Sequence, residues 1–84
     1  MTVKIVFFAS LREELGVNSV DLQISDSSSV SSLISQLADQ HSAEWLAILT
    51  AVNIRIAVNQ NIISEDIGVI DGDEVAFFPP VTGG

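Results

Sequence analysis

Apolar and polar residues follow a two-residue period in several parts of the chain, which is typical of β-strands. Ser19 to Ile24 and Ile54 to Val58 alternate cleanly, so each predicts a strand with one buried face. Val3 to Phe8 and Glu74 to Phe78 carry apolar residues on both faces, as central strands do. Ile62-Ile63 follows a turn and predicts a short return strand. The pattern therefore predicts a sheet with two especially apolar strands.

A helix is predicted between the second and third strands. Its apolar stripe recurs at helical spacing and comprises Val30, Leu33, Ile34, Leu37 and His41. Ser29 precedes the stripe and is the predicted N-cap. The whole connection is long enough to cross over to a parallel strand.

Two shorter helical stretches are also predicted. Ser10 and Glu13 have the spacing of a capping box, with Ser10 as the N-cap, and Gly16 is the predicted stop of that helix. A further stretch, Glu44 to Leu49, carries several apolar residues.

The order strand, strand, helix, strands predicts an α+β domain in which one main amphipathic helix covers one face of a mixed sheet. This is the β-grasp arrangement, with the N-terminal and C-terminal strands side by side at its centre. We predict a single domain over residues 1–78. Residues 79–84 form the predicted flexible C-terminal tail, because Pro79 and Pro80 lack the N–H groups that would continue a strand.

Composition narrows the function. The chain has 84 residues, a net charge of −8 and no cysteine. Thiolate chemistry and sulfur-ligated metals are thereby excluded, and nucleic acid and anionic membranes are disfavoured partners. The acidity either steers a basic protein partner or only maintains solubility. With no leader-like start and no long apolar run, we expect a cytoplasmic protein.

No group of side chains in the sequence forms a stand-alone active site, and we predict no metal site and no permanently bound cofactor. The only histidine, His41, is expected to be structural. The chemistry is instead predicted at the last residues, Val81-Thr82-Gly83-Gly84, which follow the two prolines. Two terminal glycines let another protein's backbone approach closely, and they present an α-carboxylate without steric hindrance.

Three segments resemble the small subunits of molybdopterin synthase, which are ubiquitin-like sulfur carriers. The most specific segment is Asp71 to Gly84. The second segment is Phe7-Phe8-Ala9 followed by Arg12-Glu13, and the third is Ala57 to Gln60. The resemblance implies that an adenylyltransferase like the ubiquitin-activating enzymes uses ATP to adenylate Gly84. A sulfur donor then converts the carboxylate to a thiocarboxylate.

The same resemblance implies that the tail enters a pocket of the large synthase subunit. The residues that would insert are Pro79, Pro80, Val81, Thr82 and Gly83. Sulfur would pass from Gly84 to cyclic pyranopterin monophosphate, which forms the molybdopterin dithiolene. The acids and bases of the reaction would belong to the large subunit.

Strand alternation predicts an apolar patch facing away from the helix. Val6, Phe8, Ala76 and Phe78 point to that side, together with one residue of the Ile62-Ile63 pair. Such a patch is typical of an interface, although a loop of the chain itself is an alternative cover. The resemblance implies partner contacts at Phe78, Phe8, Ile62 and Arg12. For Arg12, a role in the capping turn is an equally good explanation.

Two other functions remain open at this point. A sulfur carrier for thiazole synthesis or tRNA thiolation would share the diglycine end. A non-catalytic β-grasp interaction module would not carry sulfur, and its activity would survive removal of Gly84.

Overall fold

The computed structural model describes residues 1–26 and 28–79. The elements of these residues, in chain order, are β1 (Thr2–Phe7), α1 (Ser10–Leu15), β2 (Ser19–Gln23), α2 (Val30–Gln40), α3 (Glu44–Leu49), β3 (Arg55–Val58), β4 (Asn61–Ile63) and β5 (Glu74–Phe78). The predicted strands and helices are all present, and their bounds are either those predicted or differ by one residue. Such differences are ordinary at element ends.

The strands form one mixed sheet of order β2-β1-β5-β3-β4. The central pair, β1 and β5, is parallel, and the other neighbours are antiparallel. Parallel pairing at the centre requires the crossover that the connection through α2 supplies. This confirms the β-grasp prediction.

The core lies between the sheet and the helices. Val3, Ile5 and Phe7 of β1 and Val75 and Phe77 of β5 are fully buried on the helix side. The ring of Phe7 meets that of Phe77 at 5.8 Å and the edge of Trp45 at 5.5 Å, both measured between ring centroids. Aromatic packing of this kind adds to the apolar area that the core removes from water.

Helix α2 begins as predicted. The Ser29 hydroxyl accepts a hydrogen bond from the Ser32 N–H at 3.3 Å, and the Ser32 hydroxyl accepts one from the Ser29 N–H at 2.8 Å. This reciprocal pair satisfies two N–H groups at the helix start. The stripe residues Val30, Leu33, Ile34 and Leu37 are buried.

The prediction that His41 continues this stripe into the core is wrong. His41 is the C-cap of α2 and is exposed, because the helix ends at Gln40 and the chain turns towards α3. Its ring stacks flat on Trp45, with centroids 4.1 Å apart and an interplanar angle of 3°. The residue therefore covers the outer face of a buried tryptophan.

The predicted capping box at Ser10 and Glu13 is also wrong. Helix α1 starts one residue earlier than expected: Ala9 is its N-cap, with a φ of 52°, and no side chain caps it. The reason is the short junction with β1, where the Leu11 N–H already donates to the Phe8 carbonyl. Gly16 ends α1 with a φ of 78°, a left-handed conformation that glycine adopts easily, as predicted.

Candidate functional site

The C-terminal strand is held at the centre of the sheet until its last residue. Phe77 pairs with Phe7 of β1 on one side and with Ile56 of β3 on the other, and Phe78 pairs with Arg55. The chain thus leaves the sheet from a rigid central strand at Pro79. The predicted tail residues Pro80, Val81, Thr82, Gly83 and Gly84 lie outside the described residues.

One apolar row crosses four strands on the face of the sheet opposite the core. The cross-strand register places Ile62 of β4 beside Ala57 of β3, Ala57 beside Ala76 of β5, and Ala76 beside Val6 of β1. Paired side chains in a sheet share a face, so these four residues form one continuous strip. Alternation predicted that one residue of the Ile62-Ile63 pair points outward, and the structure shows that this residue is Ile62, while Ile63 packs against the core.

Two aromatic residues extend this strip at the end of the sheet where the tail emerges. The Phe8 and Phe78 rings meet edge to face, with centroids 5.7 Å apart and an interplanar angle of 63°. Phe8 is 46% exposed and Ile62 is 61% exposed, so the described part of the chain leaves both uncovered. We call this surface the docking face and define it by Val6, Phe8, Ala57, Ile62, Ala76 and Phe78.

The floor of the docking face is made of small side chains. Ala57 and Ala76 are 3% and 7% exposed although they point away from the core. The two alanines are neighbours in the row, with Ile62 on one side and Val6 on the other, so the strip is lowest at its centre and raised at Ile62 and at the aromatic end. Sequence alternation predicted the side on which Ala57 lies, and only the strand register shows that its neighbours bury it.

Arg12 is the one predicted contact residue that is not part of the docking face. It lies on α1, which starts directly after the Phe8-Ala9 junction, and its side chain is exposed. Arg55 was not predicted as a site residue. It is exposed and pairs with Phe78, so it lies at the edge of the docking face, and the β3–β5 register is the signal that identifies it.

The opposite end of the docking face is charged. Lys4 of β1 is paired with Asp21 of β2 and with Glu74 of β5, on the same face as Val6. The apolar strip is therefore bounded by polar groups at the end of the sheet remote from Pro79. An apolar centre with a charged rim is the usual anatomy of a protein interface.

Among residues 1–26 and 28–79, no group of three or more acidic or histidine side chains is arranged to hold a metal ion. The same residues contain no helix that is both long and apolar enough to cross a membrane. The acidic turn Asp71-Gly72-Asp73 has a structural function instead. Asp71 accepts a hydrogen bond from the Thr2 N–H at 2.8 Å, and Asp73 accepts one from the Asn59 side-chain amide at 2.9 Å.

One acidic side chain binds the start of α2. Asp66 accepts hydrogen bonds from the Ser31 hydroxyl at 2.6 Å and from the Ser31 N–H at 2.9 Å. These bonds lower the pKa of Asp66 below its ordinary value of 3.8, with the Ser31 hydroxyl as the largest cause. The contact ties the segment after β4 to α2.

A mixed sheet of this order, with one crossover helix on one face, defines a ubiquitin-like β-grasp protein. The sequence model of the ThiS family matches residues 5–84. The chain therefore belongs to the ThiS family.

Known proteins agree with this assignment. The chain is 43% identical to the molybdopterin synthase sulfur carrier subunit of Escherichia coli over 82 residues, which are 98% of this chain and 99% of the relative. The crystal structure of SAMP1 from Haloferax volcanii is 25% identical, with a TM-score of 0.84 and complete coverage of both chains. A chain in the structure of the complex of subunits 1 and 2 of molybdopterin-converting factor from Helicobacter pylori is 24% identical, with a TM-score of 0.67 and complete coverage of both chains. At this identity the comparison shows that the two chains share the fold.

Proposed function

We propose that this chain is the sulfur carrier subunit of a molybdopterin synthase and that Gly84 carries the sulfur. The observation that supports this most directly is that the ThiS match runs from residue 5 through residue 84 and so includes the diglycine. The Escherichia coli relative, which the chain matches over nearly its whole length, is a sulfur carrier subunit by name.

In this proposal the chain is activated before it carries sulfur. The Gly84 carboxylate attacks the α-phosphorus of ATP in the site of an adenylyltransferase, which releases pyrophosphate and leaves a mixed anhydride with AMP. A sulfur donor then displaces AMP and leaves a thiocarboxylate. ATP is a substrate of the activating enzyme, and this chain holds no cofactor of its own. Because the activation consumes ATP, we propose a cytoplasmic location.

The second half of the cycle takes place on the large synthase subunit. The docking face binds that subunit, and residues 79–83 deliver Gly84 into its pocket. The thiocarboxylate is anionic and more nucleophilic than a carboxylate, and a bound tail holds it close to cyclic pyranopterin monophosphate, which lowers the entropic cost of the reaction. The docking face supports this step because its aromatic end lies where the chain leaves the sheet at Pro79.

Removal of Gly83 and Gly84 tests the proposal. The truncated chain should keep its circular dichroism spectrum and its melting temperature, because the core and sheet use residues up to Phe78. With the activating enzyme it should give no ATP–pyrophosphate exchange. Retained exchange would exclude Gly84 as the activated group.

Intact mass spectrometry of the full chain from a sulfur-competent host gives a complementary test. The expected species is heavier than the unmodified chain by the difference between sulfur and oxygen, and the added mass lies in the last peptide. Reconstitution with defined large subunits then separates molybdopterin synthesis from the rival sulfur-transfer pathways. A chain that acts only as an interaction module would show neither the mass shift nor dependence on Gly84.

A further inference from the structure

A groove beside the docking face is not used by the function proposed above. It has a volume of about 510 Å³ and lies at the edge of the sheet formed by β4. Its apolar walls include Ile34 of α2, Val52 and Ile54 of the segment before β3, Ile56 of β3, and Ile62 and Ile63 of β4. The groove forms because β4 pairs only with Ile56 to Val58 and then departs towards α2, where Asp66 binds Ser31.

Two apolar side chains of this groove are unusually exposed. Six large apolar residues are exposed in the described part of the chain. Two of the six line the groove, Val52, which is 99% exposed, and Ile62, which is 61% exposed. Val52 projects from a turn and contributes nothing to the core. Apolar side chains exposed beside a concave apolar surface mark a site for a partner rather than a folding requirement.

The groove is continuous with the docking face and with the exit of the tail. Ile62 belongs to both surfaces. Ile54 also lines a second concavity, of about 450 Å³, which Pro79 lines as well. Arg55, which also lines the groove, pairs with Phe78 of the docking face. A partner seated on the docking face and holding the tail would therefore reach the groove without a second binding event.

The charges at the groove favour a basic occupant. Its polar rim carries the carboxylates of Glu65 and Asp66 against the single guanidinium of Arg55. The whole chain has a net charge of −8, so a second copy of it would be repelled. An apolar segment that presents a basic side chain to Glu65 complements both the walls and the rim.

We propose that this groove receives an apolar segment of the large synthase subunit that carries a basic side chain facing Glu65, and that it thereby extends the docking face around the β4 edge. The proposal rests on the function proposed above. The large subunit is the proposed occupant because the groove shares Ile62 with the docking face and adjoins it again where Arg55 pairs with Phe78, so a partner bound to that face lies beside the groove.

Substitution of Val52 tests the apolar part of this proposal. V52N removes an exposed apolar side chain without adding charge, and I70N is the matched control at another exposed position, 67% exposed, outside the groove. Isothermal titration of the purified large subunit should show a Kd raised about tenfold for V52N and changed by no more than about twofold for I70N. Equal affinity of V52N and the wild type would overturn the proposal.

Comparison of V52N with F8A distinguishes binding at the groove from binding at the docking face. Phe8 lies on the docking face and does not line the groove, so F8A should weaken large-subunit binding whether or not the groove is used. Loss of affinity for F8A with none for V52N refutes the groove and leaves the proposed function standing. If neither variant loses affinity for the large subunit, both the groove proposal and the proposed binding at the docking face are contradicted. A V52N effect confined to the activating enzyme, or to self-association in sedimentation experiments, also refutes the proposed occupant.

The charge of the occupant is tested at Glu65. E65K and D39K change the net charge by the same amount, but Asp39 is an exposed residue of α2 outside the groove. A basic side chain of the large subunit that faces Glu65 would be repelled by a lysine at this position. E65K should therefore raise the Kd several-fold more than D39K does, and the difference should shrink at high salt. Equal effects of the two substitutions would show that only overall charge matters and would overturn this part of the proposal.

Discussion

At the scale of single residues, the docking face depends on a few large side chains above a floor of alanines. Phe78 is half-buried and packs edge to face on Phe8, so its ring is already positioned before a partner arrives. Side chains ordered in advance lose little entropy on binding. Phe78 is therefore the best candidate for an anchor on this face, and Ile62 is the best candidate at the other end.

We predict that F78A weakens binding of the large subunit by about 1–3 kcal/mol, as loss of an aromatic anchor commonly does. F78Y should retain most of the affinity, since it keeps the ring that meets Phe8. Titration calorimetry measures both, and thermal melts verify that the sheet remains folded. An unchanged Kd for F78A would remove Phe78 from the interface.

At the scale of elements, the sequence correctly predicted the features of strands and helices that depend on the local spacing of apolar residues. Alternation correctly assigned the inward and outward sides of β1, β3 and β5, and the spacing of Val30, Leu33 and Leu37 correctly oriented α2. Features that depend on where two elements meet were missed. The start of α1 depends on its short junction with β1, and the groove depends on the length over which β4 pairs with β3.

The N-cap of α2 illustrates a local signal that the structure confirms. We predict that S29A lowers the free energy of unfolding by about 1 kcal/mol, because it removes the hydroxyl that accepts from the Ser32 N–H. S35A is the matched control, an exposed position within the same helix where alanine is favourable. Urea unfolding at neutral pH distinguishes the two variants. Equal stability of S29A and S35A would contradict the capping role.

The contact between Asp66 and Ser31 predicts a dependence of stability on pH. The hydrogen bonds of this contact lower the pKa of Asp66 in the folded chain. The contact therefore stabilises the fold at pH values above the ordinary pKa of 3.8, and this stabilisation is lost as the pH falls through the lowered pKa. On acidification from neutral pH to about pH 3, the wild type should lose more stability than D66N. Urea unfolding at each pH measures this, with D39N as the control for loss of one surface carboxylate. A pH profile of D66N parallel to that of the wild type would refute the role of this contact.

At the scale of the whole molecule, recognition and chemistry occupy different parts of the chain. The docking face and the groove are formed by residues between Val6 and Phe78, whereas the proposed reactive group is the carboxylate of Gly84. The sequence predicts that group from the diglycine and the prolines, because a backbone terminus needs no tertiary structure to be recognised. The partner surfaces needed the strand register, because they combine residues from strands far apart in sequence.

This separation predicts that recognition survives a change that prevents the chemistry. A short peptide appended after Gly84 converts its carboxylate into an amide, so no mixed anhydride with AMP forms, and ATP–pyrophosphate exchange should be abolished. Large-subunit binding should weaken but persist, because the docking face is unchanged. The same peptide fused before Met1 is the matched control, since the parallel register of β1 and β5 places Met1 at the end of the sheet opposite Phe78. That fusion should keep both activities, and proteolytic removal of the C-terminal extension should restore exchange. Exchange at the normal rate with the extension in place would exclude the chain end as the activated group, whatever the docking face binds.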